Sequence, residues 1–109
     1  MKLDDLTIGE AKKLSALFNQ QSDDSVYEIG QYYLIRTVTM IDTGKIVRVT
    51  PQEIVLEEAA WIADTGRFAD AVKAVKFNEV EPFPDGEVII GRGSIIDACK
   101  ISSSPRSQK

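Results

Sequence analysis

The sequence predicts a mainly β domain: a small, strongly curved antiparallel sheet or five-stranded barrel, preceded by an amphipathic helix and interrupted by a short inserted helix. Three observations predict it. Residues Tyr32 to Ile41 are dense in β-branched and aromatic side chains, which suit a pleated surface. Two further strand-like stretches follow it, with turn residues between them. Near the end, Glu87-Val88-Ile89-Ile90 and Ser94 to Ala98 read as strands joined through Gly91-Arg92-Gly93, a bend over which a small sheet can curl.

The elements are expected in this order. Thr7-Ile8-Gly9-Glu10 has the spacing of a capping box, in which hydroxyl and carboxylate each satisfy a backbone N–H at a helix start. Ile8, Ala11, Leu14, Leu17 and Phe18 then recur at helical spacing, with Lys12, Lys13 and Gln20 on the opposite side. Asn19 to Ser25 has no apolar residue and reads as a linker. Tyr32 to Ile41 is expected as one long strand, Asp42-Thr43-Gly44 as its punctuation, and Lys45 to Val49 as the resumption. Thr50-Pro51-Gln52-Glu53 supplies a turn into a third strand, Glu53 to Ile62. In that strand Ile54, Leu56, Ala60 and Ile62 share one face and Glu57 lies on the other, so the three strands form an antiparallel meander over a core. Asp64 is expected to cap a second helix in which Phe68, Ala71, Val72 and Val75 form one face. Asp85-Gly86 turns the chain into the last two strands. Residues 1–26 are thus a helical arm and linker, 27–101 a β domain, and the polar 102–109 a disordered tail.

Composition excludes several functions. A chain of 109 residues is one domain's worth, with enough exposed surface that assembly into a homo-oligomer would add burial. Apolar runs such as Ile54 to Leu56 are far below the roughly 20 residues a membrane helix needs. Met1-Lys2-Leu3-Asp4-Asp5 lacks the pattern of a secretory signal, so a cytoplasmic location is expected, with no membrane partner. The net charge of −4 is concentrated in residues 1–30, which carry six acids against three bases; residues 31–109 carry eleven against ten. Such a body gives duplex DNA no basic surface. The chain has no histidine and one cysteine, Cys99, set among apolar residues. The commonest general base and transition-metal ligand are missing, so neither an enzyme nor a metal or organic cofactor is expected.

The strand order resembles the Sm-like family over Tyr27 to Ile101. The resemblance rests on Gly30 before an apolar strand, Gly44 in the second strand, and Ile90-Gly91-Arg92-Gly93-Ser94-Ile95-Ile96, which is similar to that family's Arg-Gly signature. It implies a small Sm-like or SH3-like barrel in a homo-oligomer that binds RNA. The loop before the third strand, Thr50-Pro51-Gln52-Glu53, departs from the acidic residue and asparagine usual in its RNA-binding members. Two other stretches, Trp61 to Asp70 and Glu79 to Gly86, are similar to small uncharacterised proteins of tailed bacteriophages, which implies a phage gene expressed in a bacterial host.

The candidate site residues are Arg36, Trp61, Arg67, Phe68, Arg92 and Gly93. Guanidinium groups fork onto phosphate or carboxylate, Trp61 or Phe68 offers a ring for a base to stack on, and Gly93 brings backbone N–H groups near a phosphate. The competing reading gives each arginine a structural salt bridge and makes Gly91-Arg92-Gly93 a simple joint. Glu57 and Glu58, on opposite faces of a strand, make no catalytic pair; Glu79 and Glu81 read as a solvated edge. The expected function is therefore a non-enzymatic oligomeric module for single-stranded RNA or a small nucleotide. Its alternatives are an assembly protein of a phage particle and a decoy sequestering a host signalling nucleotide.

Overall fold

The computed structural model of the chain describes residues 26–109; the helix expected from Thr7 and the linker behind it lie outside the described residues. Six strands and one helix follow in the order β1 (Tyr32–Thr37), β2 (Ile41–Val49), β3 (Glu53–Asp64), α1 (Phe68–Ala74), β4 (Glu79–Pro82), β5 (Val88–Gly91) and β6 (Ile95–Ile101). The sheet runs β4-β3-β2-β1-β6, all antiparallel, with β5 paired to β3 off that path. β5 takes the first part of β3, Glu53 to Leu56, and β4 takes the later part, Ala60 to Asp64. A 3-10 turn, Arg92–Ser94, links β5 to β6, so the chain passes directly from a partner of β3 to a partner of β1 and the sheet curls.

The long strand expected over Tyr32 to Ile41 is two strands. Thr37 folds the chain back: its N–H donates to the Met40 carbonyl (2.8 Å), and its Oγ1 accepts from the Met40 N–H (3.0 Å). Asp42-Thr43-Gly44, expected as punctuation, lies inside β2. Gly44 is there for space, since a Cβ would sit 3.0 Å from Leu56 Cβ and 3.3 Å from Ala59 Cα.

Gly44 lies opposite the feature that sets the core. Between Lys45↔Glu57 and Thr43↔Ala60 the β2–β3 register shifts, and Glu58 takes φ 52. An extra residue bends the strand and reverses its side-chain alternation. Ile54, Leu56 and Ala59 consequently join Tyr33, Ile35 and Ile46 in one cluster, whereas Ala60 and Ile62 join Leu34, Phe77 and Val80 in another. The single face expected for Ile54, Leu56, Ala60 and Ile62 is thus two faces. The bulge side chain is held from the adjacent pair on β1 and β2: Tyr32 Oη donates to Glu58 Oε2 (2.9 Å), and Lys45 Nζ lies 3.3 Å from the same oxygen.

Helix α1 forms where expected, but Asp64 does not cap it. Arg67 is the N-cap, without a side-chain bond, and Asp64 Oδ1 instead accepts the Gly66 N–H (2.8 Å) in the turn before it. Ala71 is its buried contact with the Leu34 cluster. The helix ends on Val75 in the left-handed region, a costly conformation for a β-branched residue.

Residues 102–109, expected as a disordered tail, strap across the sheet. Ser104 is buried with its Oγ 2.8 Å from Thr43 Oγ1. Arg106 donates to the carbonyls of Ala59 (2.9 Å) and Phe83 (3.3 Å), beside the bulge. Residue 109 exchanges both backbone bonds with Val80. Polar composition suggests disorder when side chains have only water to satisfy; here they satisfy backbone groups of the sheet.

Candidate functional site

The tight turn at Thr37–Met40 carries apolar side chains outward. Val38 is 71% exposed and Met40 about half exposed; Ile96 on β6 is 67% exposed, and Trp61 on β3 shows 40% of its surface. The turn is fixed to the 3-10 turn before β6 by the Val38 N–H, which donates to the Ser94 carbonyl (3.0 Å). Between these groups lies an open cavity of about 470 Å³, lined among others by Arg36, Val38, Met40, Ile41, Trp61 and Ile96. A second open cavity of about 470 Å³ shares Met40 and Trp61 and is completed by Glu81, Pro82, Phe83 and Pro84. The two adjoin at Met40 and Trp61 as one groove, with Arg36 lining its first part and Glu81 its second.

Arg36 is occupied within the fold. Its Nε donates to Asp97 Oδ1 (2.7 Å) and its Nη2 pairs with Asp97 Oδ2, the two-pronged geometry that a guanidinium and a carboxylate favour. That bond holds the Asp97 carboxyl below its usual range. The guanidinium also sits 4.8 Å from the Phe68 ring centroid. Arg92 is occupied differently: Nη1 donates to the Thr50 carbonyl (2.8 Å), and the guanidinium lies 5.5 Å from the Tyr27 ring centroid. Arg67 is exposed at the head of α1. Of the expected site, the structure brings together Arg36, Phe68 and Trp61. No described cavity is lined by more than one of the three arginines.

The Gly91-Arg92-Gly93 bend is a joint. Its 3-10 turn is held by Ser94 Oγ donating to the Gly91 carbonyl (2.7 Å) and by the Arg92 N–H donating to Gln52 (2.8 Å). Gly93 has an ordinary negative φ, and a Cβ there would meet nothing within 4 Å, so no close backbone approach requires the glycine.

Three further groups complete the chemistry. Asp42 is buried opposite Ile35 on β1 and Trp61 on β3, and its Oδ1 has no hydrogen-bond partner. Burial pushes its carboxyl up to about 6. The Cys99 thiol is raised by burial and by Asp97, which keeps it protonated and a poor nucleophile. Glu57 and Glu58, expected on opposite faces, both line a cavity of about 150 Å³ with Asp85 and Arg106, because the bulge turns Glu58 round. Among the described residues no group of three or more acids, cysteines and histidines could hold a metal ion, and no helix is long and apolar enough to cross a membrane.

No family model and no solved structure matches the chain. Among curated proteins it is similar to Protein NifZ of Azotobacter vinelandii, at 30% identity over 79 residues, covering 70% of this chain and 47% of NifZ. The chain thus spans about half the length of that relative. This likeness is to a bacterial protein, and it overturns the expected kinship with Sm-like proteins and with bacteriophage proteins. The expected phage module for RNA or a nucleotide falls with it. The geometry points the same way: Arg36 is engaged by Asp97, Arg92 by the Thr50 carbonyl, and the glycine bend by its own turn, while Arg67 stands apart at the head of α1.

Proposed function

We propose that this chain is a non-enzymatic protein-docking module of nitrogenase maturation, with an SH3-like barrel as its frame and the Val38–Met40–Trp61 groove as its contact surface. The likeness to NifZ supports the maturation context. The pairing of β5 with β3 and of β6 with β1, through a three-residue 3-10 turn, supports the barrel.

One observation carries the docking reading: Val38, Met40, Trp61 and Ile96 are exposed together around one groove. Scattered surface apolar residues are ordinary, but a contiguous set rimmed by charges marks an interaction site. A tryptophan and a methionine in its lining suit a protein partner, since both bury large, adaptable surface. No catalytic step is assigned. The chain has no histidine, Cys99 stays a neutral thiol, and the groove holds no pair of acids placed to share a proton.

The test is a chimera in which this chain replaces the matching segment of NifZ, expressed in an Azotobacter vinelandii strain lacking NifZ. The chimera should restore nitrogenase activity, and the same chimera with Trp61→Ser should not, although both accumulate as folded protein. A folded chimera that restores nothing, or a Trp61→Ser chimera that restores as well as the parent, overturns the reading.

A further inference from the structure

Strand β4 ends the sheet path. On its inner side it pairs with β3; on its outer side the N–H and C=O of Val80 point away from the sheet. Residue 109 takes both: Val80 N–H donates to its carbonyl and its N–H donates to the Val80 carbonyl, each at 2.9 Å. Two residues that exchange both bonds are a ladder pair of an antiparallel sheet. Residue 109 therefore occupies this edge as the start of an added strand. The strap is fastened independently upstream, at Ser104 and Arg106, so this pair can open while those contacts stay.

Val80 is flanked by the exposed Glu79 and Glu81, and Glu81 also lines the groove beside Trp61 and Phe83. In an added strand, the residues on either side of the one facing Val80 would lie across from these two acids, on the groove side. Basic side chains there would neutralise Glu79 and Glu81 while their apolar stems cover Trp61 and Phe83. A second copy of this chain is the poorer occupant. Pairing two β4 edges about Val80 would set Glu79 of each copy against Glu81 of the other, and like charges directly opposite are destabilising.

We propose that the β4 edge is a strand-addition site for an extended segment of a partner protein with basic side chains at alternate positions, held closed in cis by residue 109. The proposal rests on reading the groove as a docking surface and adds the partner's chemistry. Main-chain bonds would supply affinity for any extended segment, and the two acids with the groove would supply selection.

The full chain and a chain lacking Ser107 to Lys109 are titrated with two hexapeptides, Lys-Val-Lys-Val-Lys-Val and Glu-Val-Glu-Val-Glu-Val. Trp61, the single tryptophan, reports binding by fluorescence, and amide exchange reports protection of Val80. The shortened chain should bind the basic peptide roughly ten-fold more tightly than the full chain does, as release of two backbone bonds allows, and should protect Val80 again. The acidic peptide should bind neither chain, and a Glu79→Lys, Glu81→Lys double variant should reverse the preference. Lys109→Pro keeps the strap and removes only the donor, so it should reproduce the gain even if the shortened chain unfolds. Equal binding of both peptides, no gain in either variant, or an unprotected Val80 overturns the proposal. Peptide binding beside a NifZ chimera that fails to restore activity keeps the edge site and removes the maturation reading; restoration without peptide binding does the reverse.

Discussion

Two strand connections of this domain differ in how their side chains are satisfied. At the Arg92 bend, a guanidinium, two glycines and a serine have the look of an anion site, yet the fold uses them: Arg92 is taken by the Thr50 carbonyl and the Tyr27 ring, and Ser94 by Gly91. At the Thr37–Met40 turn, the domain covers Val38 and Met40 only in part and leaves half or more of each in water. A polar group can satisfy itself locally by bending the chain a little; an apolar side chain on a tight turn cannot. Unmet demand on the surface is a better guide to partners than the presence of versatile residues.

The largest test of this contrast is Asp42, two residues beyond the turn. Its carboxyl, ordinarily near 3.8, is pushed up to about 6 by burial, with no partner on Oδ1. The folded state therefore favours the protonated acid. Its contribution to stability is fully present below about pH 4 and is lost as the pH rises through about 6. At about 1.4 kcal/mol for each pH unit of displacement, the loss by pH 8 comes to about 3 kcal/mol. Asp42→Asn removes the titration. The difference in urea-unfolding stability between variant and parent should be small at pH 4 and should grow in the variant's favour to about that size at pH 8. A difference that stays flat across this range would show that the carboxyl is hydrated or paired. Glu58 and Asp97, held low by Tyr32 and Arg36, act in the opposite sense and cancel in the subtraction.

The bend should respond next. Arg92→Ala removes a half-buried hydrogen bond to a backbone carbonyl and a contact over Tyr27, so a loss of about 1–2 kcal/mol is expected in thermal or urea unfolding. Gly93→Ala should change stability by less than about 0.5 kcal/mol, since its Cβ enters open space and its φ is ordinary. The reverse order, with Gly93 costly and Arg92 neutral, would return the bend to the status of a backbone-lined site.

How much of this was legible in the sequence follows from which signals are local. The β class, the helix at Phe68–Ala74 and the final strand pair are legible because β-branched runs and helical spacing act within a few residues. The Thr37–Met40 turn was hidden because Val38-Thr39-Met40 contains no glycine, proline or acid, and the hydroxyl that closes it belongs to Thr37. The bulge at Glu58 was hidden because a reversal of alternation in Glu57-Glu58-Ala59-Ala60 looks like weak patterning until Gly44 is known to lie opposite. The strap was hidden because its partners, Thr43, Ala59 and Val80, are distant in sequence. Of the site, Trp61 was legible as an aromatic in a strand. Val38, Met40 and Ile96 were not, since each sits in an apolar run that reads as core strand, and Phe83 sits between two prolines in a connection.

The smallest stability effect belongs to the groove, and there the contrast is sharpest. Val38→Ser with Met40→Ser replaces two exposed apolar side chains whose removal leaves no buried cavity. The hydrogen bonds that build the turn come from Thr37 and from main-chain groups of Met40, and neither substitution touches them. Unfolding stability should therefore stay within about 0.5 kcal/mol of the parent. Capture of partner proteins by the tethered full chain should nevertheless fall by about ten-fold or more, because truncating central apolar contacts of an interface commonly costs that much. Loss of stability in proportion to loss of capture would mean that these residues hold the fold, and unchanged capture with unchanged stability would mean that the exposed groove is not where a partner binds.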